Sequence, residues 1–466
     1  MRKVLNAIAS RAQAEPQRPA LFDGSGPMTY GELWAAVRRT AAWAQSLPAT
    51  IGLLAPKDRH AVVWHLALAW AGRTVVPLPD FFAPAQLAHM AEDADIAAVV
   101  TTPAFAELAQ SLGRPVLLPA AGEPDPGEPV GGARWIIYTS GTTGRPKGVV
   151  IGEAQLDSSV TALALAAAAG PADRMLSVLP FAMLLEQVAG IALPLAVGAS
   201  VVLCPDPRDL AQAAERFAPT ATILVPELLS AWVAGLEQAG RRAPATLRFV
   251  AVGGAPVPPA LAERAWAVGL PVYEGYGLSE CCSVVALNRP GERCAGTVGR
   301  PLPGVEVAIE DGEIVVSGTT VMAGYLGGAA ASGRHRTGDL GRFDAVGRLV
   351  VEGRRDEVIV TTTGRNIHPE WIETMILADP RIARCAVVDG GSHPRAVLVA
   401  ASPDLADADA ATVDALVAGL TAAAPDYARP RANRLVPEAM LHRQHWITAN
   451  GRLRRRSIAA YFKEFP

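Results

Sequence analysis

Residues 135–151 read WIIYTSGTTGRPKGVVI, a polar loop between two apolar segments that predict strands. Glycines let the backbone approach a polyphosphate, hydroxyls and free amides bind its oxygens, and Lys147 offsets its charge. A plain surface loop has a similar composition, but its position between two apolar strands argues against that reading. Gly148 stands where a Walker A loop has Ser or Thr, which disfavours a P-loop kinase. The stretch therefore predicts a phosphate-binding loop on a sheet.

Around this loop, the first two hundred residues alternate helical and strand patterns. Thr29-Tyr-Gly-Glu32 is a capping box that predicts the start of a helix. Short apolar runs predict buried parallel strands, and their alternation with helices predicts an α/β sheet covered on both faces. These runs are Ile51–Leu54, Thr74–Val76, Ile96–Val100 and Val116–Leu118.

The pattern changes after residue 305. Asp311-Gly312 is a hairpin turn signal, and a second hairpin is expected to turn near Gly347. We predict an α/β fold: a large N-terminal domain of parallel-rich sheets layered with helices, a β-subdomain, and a small mobile α+β C-terminal domain. The predicted boundaries are residues 1–352 for the N-terminal domain, 353–356 for a hinge and 357–466 for the C-terminal domain.

Composition excludes several classes of protein. The 466 residues carry 42 basic and 45 acidic side chains, and this near balance argues against a nucleic-acid or membrane-surface binder. The longest apolar stretch, Val188–Leu203, contains Pro194 and two glycines, so we expect a buried helix running into a strand and no membrane span. Five cysteines without metal-type spacing predict reduced thiols and a cytoplasmic protein.

Four later segments combine glycines with polar side chains. Each has an ordinary structural explanation when taken alone, such as a strand-end turn or a solvated surface acid. They are Gly253-Gly-Ala255 after an apolar run, Gly275-Tyr-Gly-Leu-Ser-Glu280, Arg336-Thr-Gly-Asp339 and Gly353-Arg-Arg-Asp356.

Together with the 138–148 loop, these segments resemble the motifs of the adenylate-forming superfamily, in the family's order and over nearly the whole chain. This superfamily contains acyl- and aryl-CoA synthetases, peptide-synthetase adenylation domains and firefly luciferase. The resemblance implies that ATP and Mg²⁺ activate a small-molecule carboxylic acid as acyl-AMP. The acyl group then passes to the thiol of coenzyme A or of a phosphopantetheine.

The resemblance also implies roles in the nucleotide site. Lys147 would lie near the leaving phosphates, and Glu280 would be a catalytic residue and the magnesium ligand. Tyr276 would offer its ring to adenine, and Asp339 would accept both ribose hydroxyls. The implied nucleotide-binding residues are Thr139, Ser140, Gly141, Thr142, Thr143, Gly144, Gly253, Gly254, Ala255, Tyr276, Gly277, Ser279, Asp339 and Arg354.

For the second half-reaction, the resemblance implies that the small domain turns about Asp356. Gly364 and Arg365 would then contribute to a tunnel for the thiol. In the family's last motif a lysine bridges the substrate carboxylate and the nucleotide, whereas this chain has Arg452. Arginine keeps the charge but replaces a compact ammonium with a planar fork. It could therefore substitute adequately, slow adenylation, or mark a degenerate homologue that binds nucleotide with weak adenylation.

The predicted substrate pocket contains Phe181, Ala182, Met183 and Gly275. Relatives often carry a histidine or aromatic gate near residue 182. Met183 fits an apolar acyl tunnel and equally fits core packing. The acid near this segment is Glu186, in the next predicted helix, so a free α-amino acid is disfavoured as substrate.

Residues 180–187 and 364–369 look more similar to fatty-acyl-CoA synthetases than to aryl or acetyl ones. We therefore expect a fatty or aryl acid as the substrate. The alternative is a stand-alone acyl-AMP ligase that loads an acyl carrier protein.

Overall fold

The computed structural model describes residues 1–119, 126–139, 146–361, 365–390, 393–448 and 453–464. Within these ranges, parallel-rich sheets come first along the chain and antiparallel strands follow. The strands are β1 Pro19–Asp23, β2 Gly26–Thr29, β3 Thr50–Leu54, β4 Thr74–Pro77, β5 Ala98–Thr101, β6 Val116–Leu117, β7 Arg134–Thr139, β8 Lys147–Gly152, β9 Arg174–Ser177, β10 Ser200–Leu203, β11 Ala221–Leu224, β12 Phe249–Val252, β13 Val272–Leu278, β14 Ser283–Leu287, β15 Arg300–Pro301, β16 Val305–Glu310, β17 Glu313–Gly318, β18 Gly324–Tyr325, β19 Arg334–Phe343, β20 Leu349–Arg354, β21 Ile359–Val360, β22 Asn366–Ile367, β23 Ile382–Asp389, β24 Pro394–Ala400 and β25 Arg434–Leu435.

Helices cover the sheets of the N-terminal part and recur in the C-terminal part. A π-helix spans Glu186–Ala192. The α-helices are α1 Arg2–Ala14, α2 Tyr30–Ala44, α3 Arg59–Trp70, α4 Pro84–Asp93, α5 Ala106–Gln110, α6 Glu153–Ala166, α7 Leu193–Val197, α8 Leu210–Phe217, α9 Pro226–Gln238, α10 Pro259–Ala267, α11 Pro369–Ile376, α12 Pro403–Ala406, α13 Ala410–Leu420, α14 Glu438–Arg443 and α15 Arg455–Glu464.

Two large sheets share the principal hydrophobic core. One has the order β18-β8-β7-β4-β3-β5-β6 and the other β15-β14-β13-β12-β11-β9-β10-β1-β2. In the first sheet β3 pairs in parallel with β4 and β5, and β5 pairs in parallel with β6, which confirms the four predicted strands within about two residues. One continuous cluster of buried residues spans helices α1 to α3 and the second sheet. The predicted α/β class is confirmed.

Local signals set several of these elements. The Thr29 hydroxyl accepts a hydrogen bond from the Glu32 amide at 3.2 Å, and the Glu32 carboxylate accepts one from the Thr29 amide at 2.8 Å. This capping box begins α2, as predicted. Asp311 and Gly312 both have positive φ, 51° and 77°, in the two-residue turn that joins β16 to β17. That turn confirms the hairpin in the four-stranded antiparallel sheet β16-β17-β19-β20.

The 188–203 stretch has the predicted order of a buried helix followed by a strand. Its first helical part, however, is a π-helix, which continues into α7 and ends at Gly198 with φ 78°. All seven π-helical residues are buried. π-helical turns occur frequently at functional sites.

The C-terminal part has hydrophobic clusters of its own. One packs α11 and α13 against β23 and β24, and the other packs α14 and α15 on the opposite face of the same strands. The sheet order there is β23-β24-β25. Across the described ranges, no helix has the length and apolar character needed to cross a membrane.

Candidate functional site

A carboxylate, a phenol and an ammonium group converge near the base of the phosphate-loop hairpin. The Tyr325 hydroxyl donates to Glu280 at 2.9 Å, and the Lys147 Nζ lies 5.8 Å from the centre of the Tyr325 ring. Strand β18 carries Tyr325 there by pairing with β8, which begins at Lys147. Thr139 pairs with Lys147 at the mouth of the β7–β8 hairpin. Strands β7, β8 and β18 are adjacent in the sheet. Residues 138 and 325 therefore lie on either side of β8, at the base of the predicted phosphate loop.

A second polar group lies where β13, β19 and β20 meet. The Tyr276 hydroxyl donates to Asp339 Oδ2 at 2.5 Å, and Arg354 Nη1 donates to Asp339 Oδ1 at 3.0 Å. Arg354 also donates to the carbonyl of Thr337 at 3.1 Å. Burial and the charge of Asp339 raise the pKa of Tyr276, so its hydroxyl remains a hydrogen-bond donor. Asp339 is thereby fixed between two donors.

The glycine positions bring the backbone segments of the site close together. A Cβ on Gly253 would lie 3.1 Å from the carbonyl oxygen of Gly275, so the ends of β12 and β13 pack backbone to backbone. A Cβ on Gly277 would lie 1.7 Å from the carbonyl oxygen of Ser283, which only glycine avoids. Gly254 is exposed with φ 86°, next to the partly buried Ala255. These residues form an open strand-end turn beside Tyr276.

Glu274 is an acid of intermediate exposure beside this turn, with a buried carboxyl oxygen, and the sequence did not identify it. Its Oε1 accepts a hydrogen bond from the Val257 amide at 3.2 Å, while Oε2 is buried with no hydrogen-bond partner among the described residues. Burial raises the pKa of Glu274 to about 8. A neutral carboxyl group can donate as well as accept a hydrogen bond.

Ser279 begins the 3₁₀ turn Ser279–Cys281, which carries Glu280. The Met322 amide donates to the Glu280 carbonyl at 2.7 Å and ties this turn to the segment before β18. Glu280 is therefore held at two points, through its backbone carbonyl by Met322 and through its carboxylate by Tyr325. No group of three or more His, Cys, Asp or Glu arranged to hold a metal occurs among the residues that the structure describes.

The predicted substrate segment lies between β9 and the π-helix. Phe181 is buried and its ring meets the His65 ring edge to face at 5.6 Å, while Ala182 and Met183 are partly exposed. Gly275 lies on the other side of the sheet end, where an added Cβ would sit 3.0 Å from Leu287 and 3.9 Å from Val284.

An apolar cavity lies between the π-helix and the second sheet. It encloses about 60 Å³, whereas one water requires only about 10–15 Å³ on the same measure. Its charged lining residues are Asp173 and Arg248, which bind each other through Arg248 Nε and Asp173 Oδ1 at 2.7 Å. The apolar lining includes Leu185, Ala189 and Leu193 from the helices and Ile223, Ala251, Val284 and Leu287 from the sheet.

Gly275, a residue of the predicted substrate pocket, borders this cavity, because its neighbours Val284 and Leu287 both line the cavity. Leu185 and Ala189, two and six residues after the Phe181–Met183 segment, line the other side of the cavity. The cavity therefore borders two parts of the predicted pocket that are about ninety residues apart in the chain.

Asp356 lies exposed in a 3₁₀ turn between β20 and β21. Its carboxylate is 3.4 Å from Arg354 Nε and 3.6 Å from Arg456 Nη2. Nearby, Arg455 forms ion pairs with Glu357, Glu370 and Glu373. The predicted hinge thus has charged contacts to both neighbouring parts of the chain.

Arg365 is exposed, and its guanidinium lies 4.7 Å from the centre of the Tyr427 ring within the C-terminal part. Seven predicted site residues lie outside the described residues, and the structure does not address them. They are Ser140, Gly141, Thr142, Thr143, Gly144, Gly364 and Arg452.

Sequence reasoning missed Tyr325, Glu274 and the buried Lys57, which forms an ion pair with Glu186 at 2.7 Å. Each acts through a partner 17 or more residues away in the chain. The Gly324-Tyr325 pair inside an otherwise apolar segment was the one local signal available for Tyr325.

Comparisons with known proteins bear on this geometry. The family model for AMP-binding enzymes matches residues 8–326, and the model for the AMP-binding enzyme C-terminal domain matches residues 356–465. The chain is 31% identical to 2-succinylbenzoate–CoA ligase of Bacillus licheniformis, over 85% of this chain and 90% of the relative. It is 30% identical to feruloyl-CoA synthase of an Amycolatopsis species, over 86% and 89% of the two chains.

A solved structure is similar over almost the full length. O-succinylbenzoate coenzyme A synthetase from Bacillus subtilis, in complex with ATP and magnesium ion, superposes with a TM-score of 0.83 at 26% identity. The alignment covers 97% of this chain and 98% of that one. It spans both the large N-terminal part and the small C-terminal part.

Proposed function

The chain belongs to the family of AMP-binding enzymes, and we propose that it joins an apolar monocarboxylic acid to coenzyme A. The reaction uses ATP and Mg²⁺ and proceeds through an acyl-AMP. In the first step a carboxylate oxygen bonds to the α-phosphorus of ATP and pyrophosphate leaves. In the second step the thiol sulfur bonds to the acyl carbon and AMP leaves.

The observation that carries this proposal is the Tyr276–Asp339–Arg354 group beside the β7–β8 hairpin. Two donors fix the Asp339 carboxylate, which leaves its remaining lone pairs directed for hydroxyl groups such as those of a ribose. Tyr276 follows Gly275, which packs against Gly253 at the strand-end turn, and its ring is the flat face that we propose for stacking a base. The position of Lys147 and Glu280 at the mouth of the hairpin supports a polyphosphate on the same face.

Lys147 supplies positive charge where pyrophosphate departs. A carboxylate is already a nucleophile, so the side chains mainly orient the reactants and stabilise developing charge. In this proposal, Ser279 donates its hydroxyl to the α-phosphate, and Arg354 reaches the nucleotide through its link to Asp339.

The residues present fit one magnesium ion. Mg²⁺ binds through one or two carboxylates, the substrate phosphates and several waters, so it needs no protein cage. Glu280 provides one carboxylate, and the Tyr325 hydroxyl orients it. Bound there, the ion neutralises phosphate charge; Glu280 and Tyr325 hold its position.

The cavity below the π-helix supports the assignment of the acid. Its lining is apolar apart from Thr222, whose hydroxyl donates to the Leu176 carbonyl, and the ion pair of Asp173 and Arg248, so a second free charge on the ligand would have no charged partner. We therefore propose a monocarboxylic acid with an aryl or alkyl body, whose apolar end enters the cavity past Gly275. A dicarboxylic acid such as 2-succinylbenzoate is a poor fit.

Coenzyme A is the acceptor that we propose, since the relatives named above are coenzyme A ligases. A phosphopantetheinyl carrier protein presents the same thiol arm and is the alternative acceptor. We place the reaction in the cytoplasm, where thiols stay reduced; all five cysteines are free.

Acid-dependent exchange of labelled pyrophosphate into ATP tests the substrate class. A panel of benzoic, phenylpropenoic and C6–C12 alkanoic acids should support exchange, whereas a dicarboxylic acid of equal size should not. Ala189→Leu fills the cavity and should shift the preference toward shorter acids without changing the KM for ATP. Equal exchange with the dicarboxylic acid, or an unchanged preference in Ala189→Leu, would place the acid elsewhere.

A further inference from the structure

Lys57 is a buried lysine that the mechanism above does not use. It follows β3, and its side chain is 5% exposed. Its Nζ donates to Glu186 Oε1 at 2.7 Å and to the main-chain carbonyl of Leu179. Burial lowers the pKa of Lys57, and the adjacent Glu186 opposes that shift. An uncompensated charge at such a site is strongly destabilising, so the ammonium requires this partner.

Glu186 is fully buried at the first turn of the π-helix. Its Oε1 accepts from Lys57 and from the Ser177 hydroxyl, and its Oε2 has no hydrogen-bond partner among the described residues. The carboxylate folds back over Gly190, where an added Cβ would lie 2.6 Å from Glu186 Cδ. The glycine therefore leaves the space that the carboxylate occupies.

Gln187 is also buried, and it bonds the same segment from the next position. Its Nε2 donates to the carbonyl of Phe181 at 3.1 Å. Two carbonyls of the Leu179–Met183 segment, those of Leu179 and Phe181, thus accept bonds from buried side chains. A segment held at two carbonyls by charged and amide donors has little freedom to shift.

The pair also lies beside the apolar cavity. Leu185, immediately before Glu186, and Ala189, three residues after it, line the cavity. Movement of the π-helix by a fraction of a turn would change the cavity wall and the position of the Phe181–Met183 segment together.

We propose that Lys57 and Glu186 are positioning residues for acid selection: their buried ion pair sets the placement of the Leu179–Met183 segment and the π-helix against the acyl cavity. This inference rests on the proposed function. Among the described residues, the hydrogen-bond partners of the pair are Leu179 and Ser177, and neither is a predicted nucleotide-binding residue. The effect of the pair is therefore on the affinity for the acid rather than on that for ATP.

Replacement of the whole pair separates positioning from folding. Buried ion pairs replaced by apolar residues of similar volume often leave stability unchanged, whereas loss of one partner leaves a buried unpaired charge. The double variant Lys57→Met/Glu186→Leu should therefore fold, but it frees the Leu179 carbonyl. Misplacement of a substrate-contacting segment by about 1 Å costs up to about 100-fold, so we expect the KM for the acid to rise about 10- to 100-fold.

Gly190→Ala provides a second variant that keeps both charges. Its Cβ displaces the Glu186 carboxylate, so the KM for the acid should rise while the KM for ATP stays at the parent value. Gly235→Ala in α9 is the matched control, because an added Cβ there meets no atom within 4 Å. If the double variant does not fold, Gly190→Ala alone decides.

Steady-state kinetics with varied acid and varied ATP, together with thermal unfolding, give the readout. A raised KM for the acid with an unchanged KM for ATP supports the positioning role. A folded double variant, or a folded Gly190→Ala, with the parent's KM for the acid and the parent's ranking of acids overturns it. Parent protein that gives no acid-dependent exchange at all overturns the proposed function instead.

Discussion

At the scale of single residues, Glu280 is the side chain whose loss is most informative. Glu280→Gln keeps the size and the hydrogen bond from Tyr325 but removes the charge that we propose binds Mg²⁺. Loss of one preorganised electrostatic contact of this type costs about 10²–10³ in rate, and we expect that fall in acid-dependent pyrophosphate exchange. The Mg²⁺ concentration for half-maximal exchange should rise as well. Glu107→Gln, at an exposed position in α5, is the control, and parental exchange in Glu280→Gln would contradict the assignment.

Arg452 gives the second residue-scale prediction. A guanidinium can neutralise the meeting of carboxylate and α-phosphate, but its length and planarity misplace the charge. We therefore expect active but slow adenylation, with Arg452→Lys holding or raising the rate and Arg452→Ala lowering it. Thioester formation from synthetic acyl-AMP should change little in either variant. Parental adenylation by Arg452→Ala would make this residue an ordinary surface charge.

Some contacts between residues can be predicted from the sequence, and others cannot. The Thr29–Glu32 capping box and the Asp311-Gly312 turn form within four residues, so local chemistry predicts them. The Tyr325–Glu280 bond joins residues 45 apart, and the Lys57–Glu186 pair joins residues 129 apart. Such pairs depend on strand order, which no local pattern contains. Tyr276 and Asp339 were predicted as site residues from the order of the motifs along the chain. Their mutual hydrogen bond spans 63 residues.

At the scale of elements, the hairpin of β21 and β22 carries a prediction about the second half-reaction. Gly364 falls between these strands in the sequence, outside the described residues, and the family resemblance implies that it leaves room for the pantetheine arm. Gly364→Leu should fill that space, so thioester formation should fall steeply while pyrophosphate exchange persists. Gly419→Leu, on the exposed side of α13, is the matched control. Equal loss of both activities in Gly364→Leu would mean that the hairpin serves folding.

The π-helix is an element whose type the sequence pattern did not predict. The apolar run of residues 188–203 indicated a buried helix before a strand, and that order is present. Within the π-helix, Gly190 leaves the space that the Glu186 carboxylate occupies, and that carboxylate binds Lys57, which follows β3. Periodicity counts apolar positions on one helix. It holds no information about a charged side chain that comes from a distant part of the sequence.

At the scale of the whole molecule, Glu274 makes stability depend on pH. Burial raises the pKa of Glu274 from 4.5 to about 8, so between these values the folded chain keeps a proton that the unfolded chain releases. Stability contributed by this group is therefore present below pH 4.5 and is lost as pH rises toward 8. Glu274→Gln removes the ionisation and should unfold at a higher temperature than the parent at pH 8.

The thermal midpoints of Glu274→Gln and the parent should converge as the pH falls to about 5, because the Glu274 carboxyl is then neutral in the parent too. Glu263→Gln, at an exposed position in α10, should have the same thermal midpoint as the parent at pH 5 and at pH 8. A constant difference between Glu274→Gln and the parent from pH 5 to pH 8 would show that the carboxyl stays ionised throughout.

The division of the chain into two parts also belongs to this scale. Separate hydrophobic clusters support our proposal of a C-terminal domain that begins after residues 353–356. Contacts of Asp356 with Arg354 and Arg456 would have to change if that domain turns. The boundary at residues 353–356 was predicted from the order of elements, because it follows the antiparallel stretch that begins near residue 305; that order could not give the charged contacts of Asp356.

In the proposed reaction, the protein converts an apolar acid, ATP and coenzyme A into a thioester, AMP and pyrophosphate. Mass spectrometry of one reaction mixture measures all of these together, with a panel of acids and with Glu280→Gln in parallel. We predict acid-dependent thioester and AMP in equal amounts for aryl or alkyl acids, and a fall of about 10²–10³ in the variant. No thioester with any acid, or ADP in place of AMP, would contradict the account.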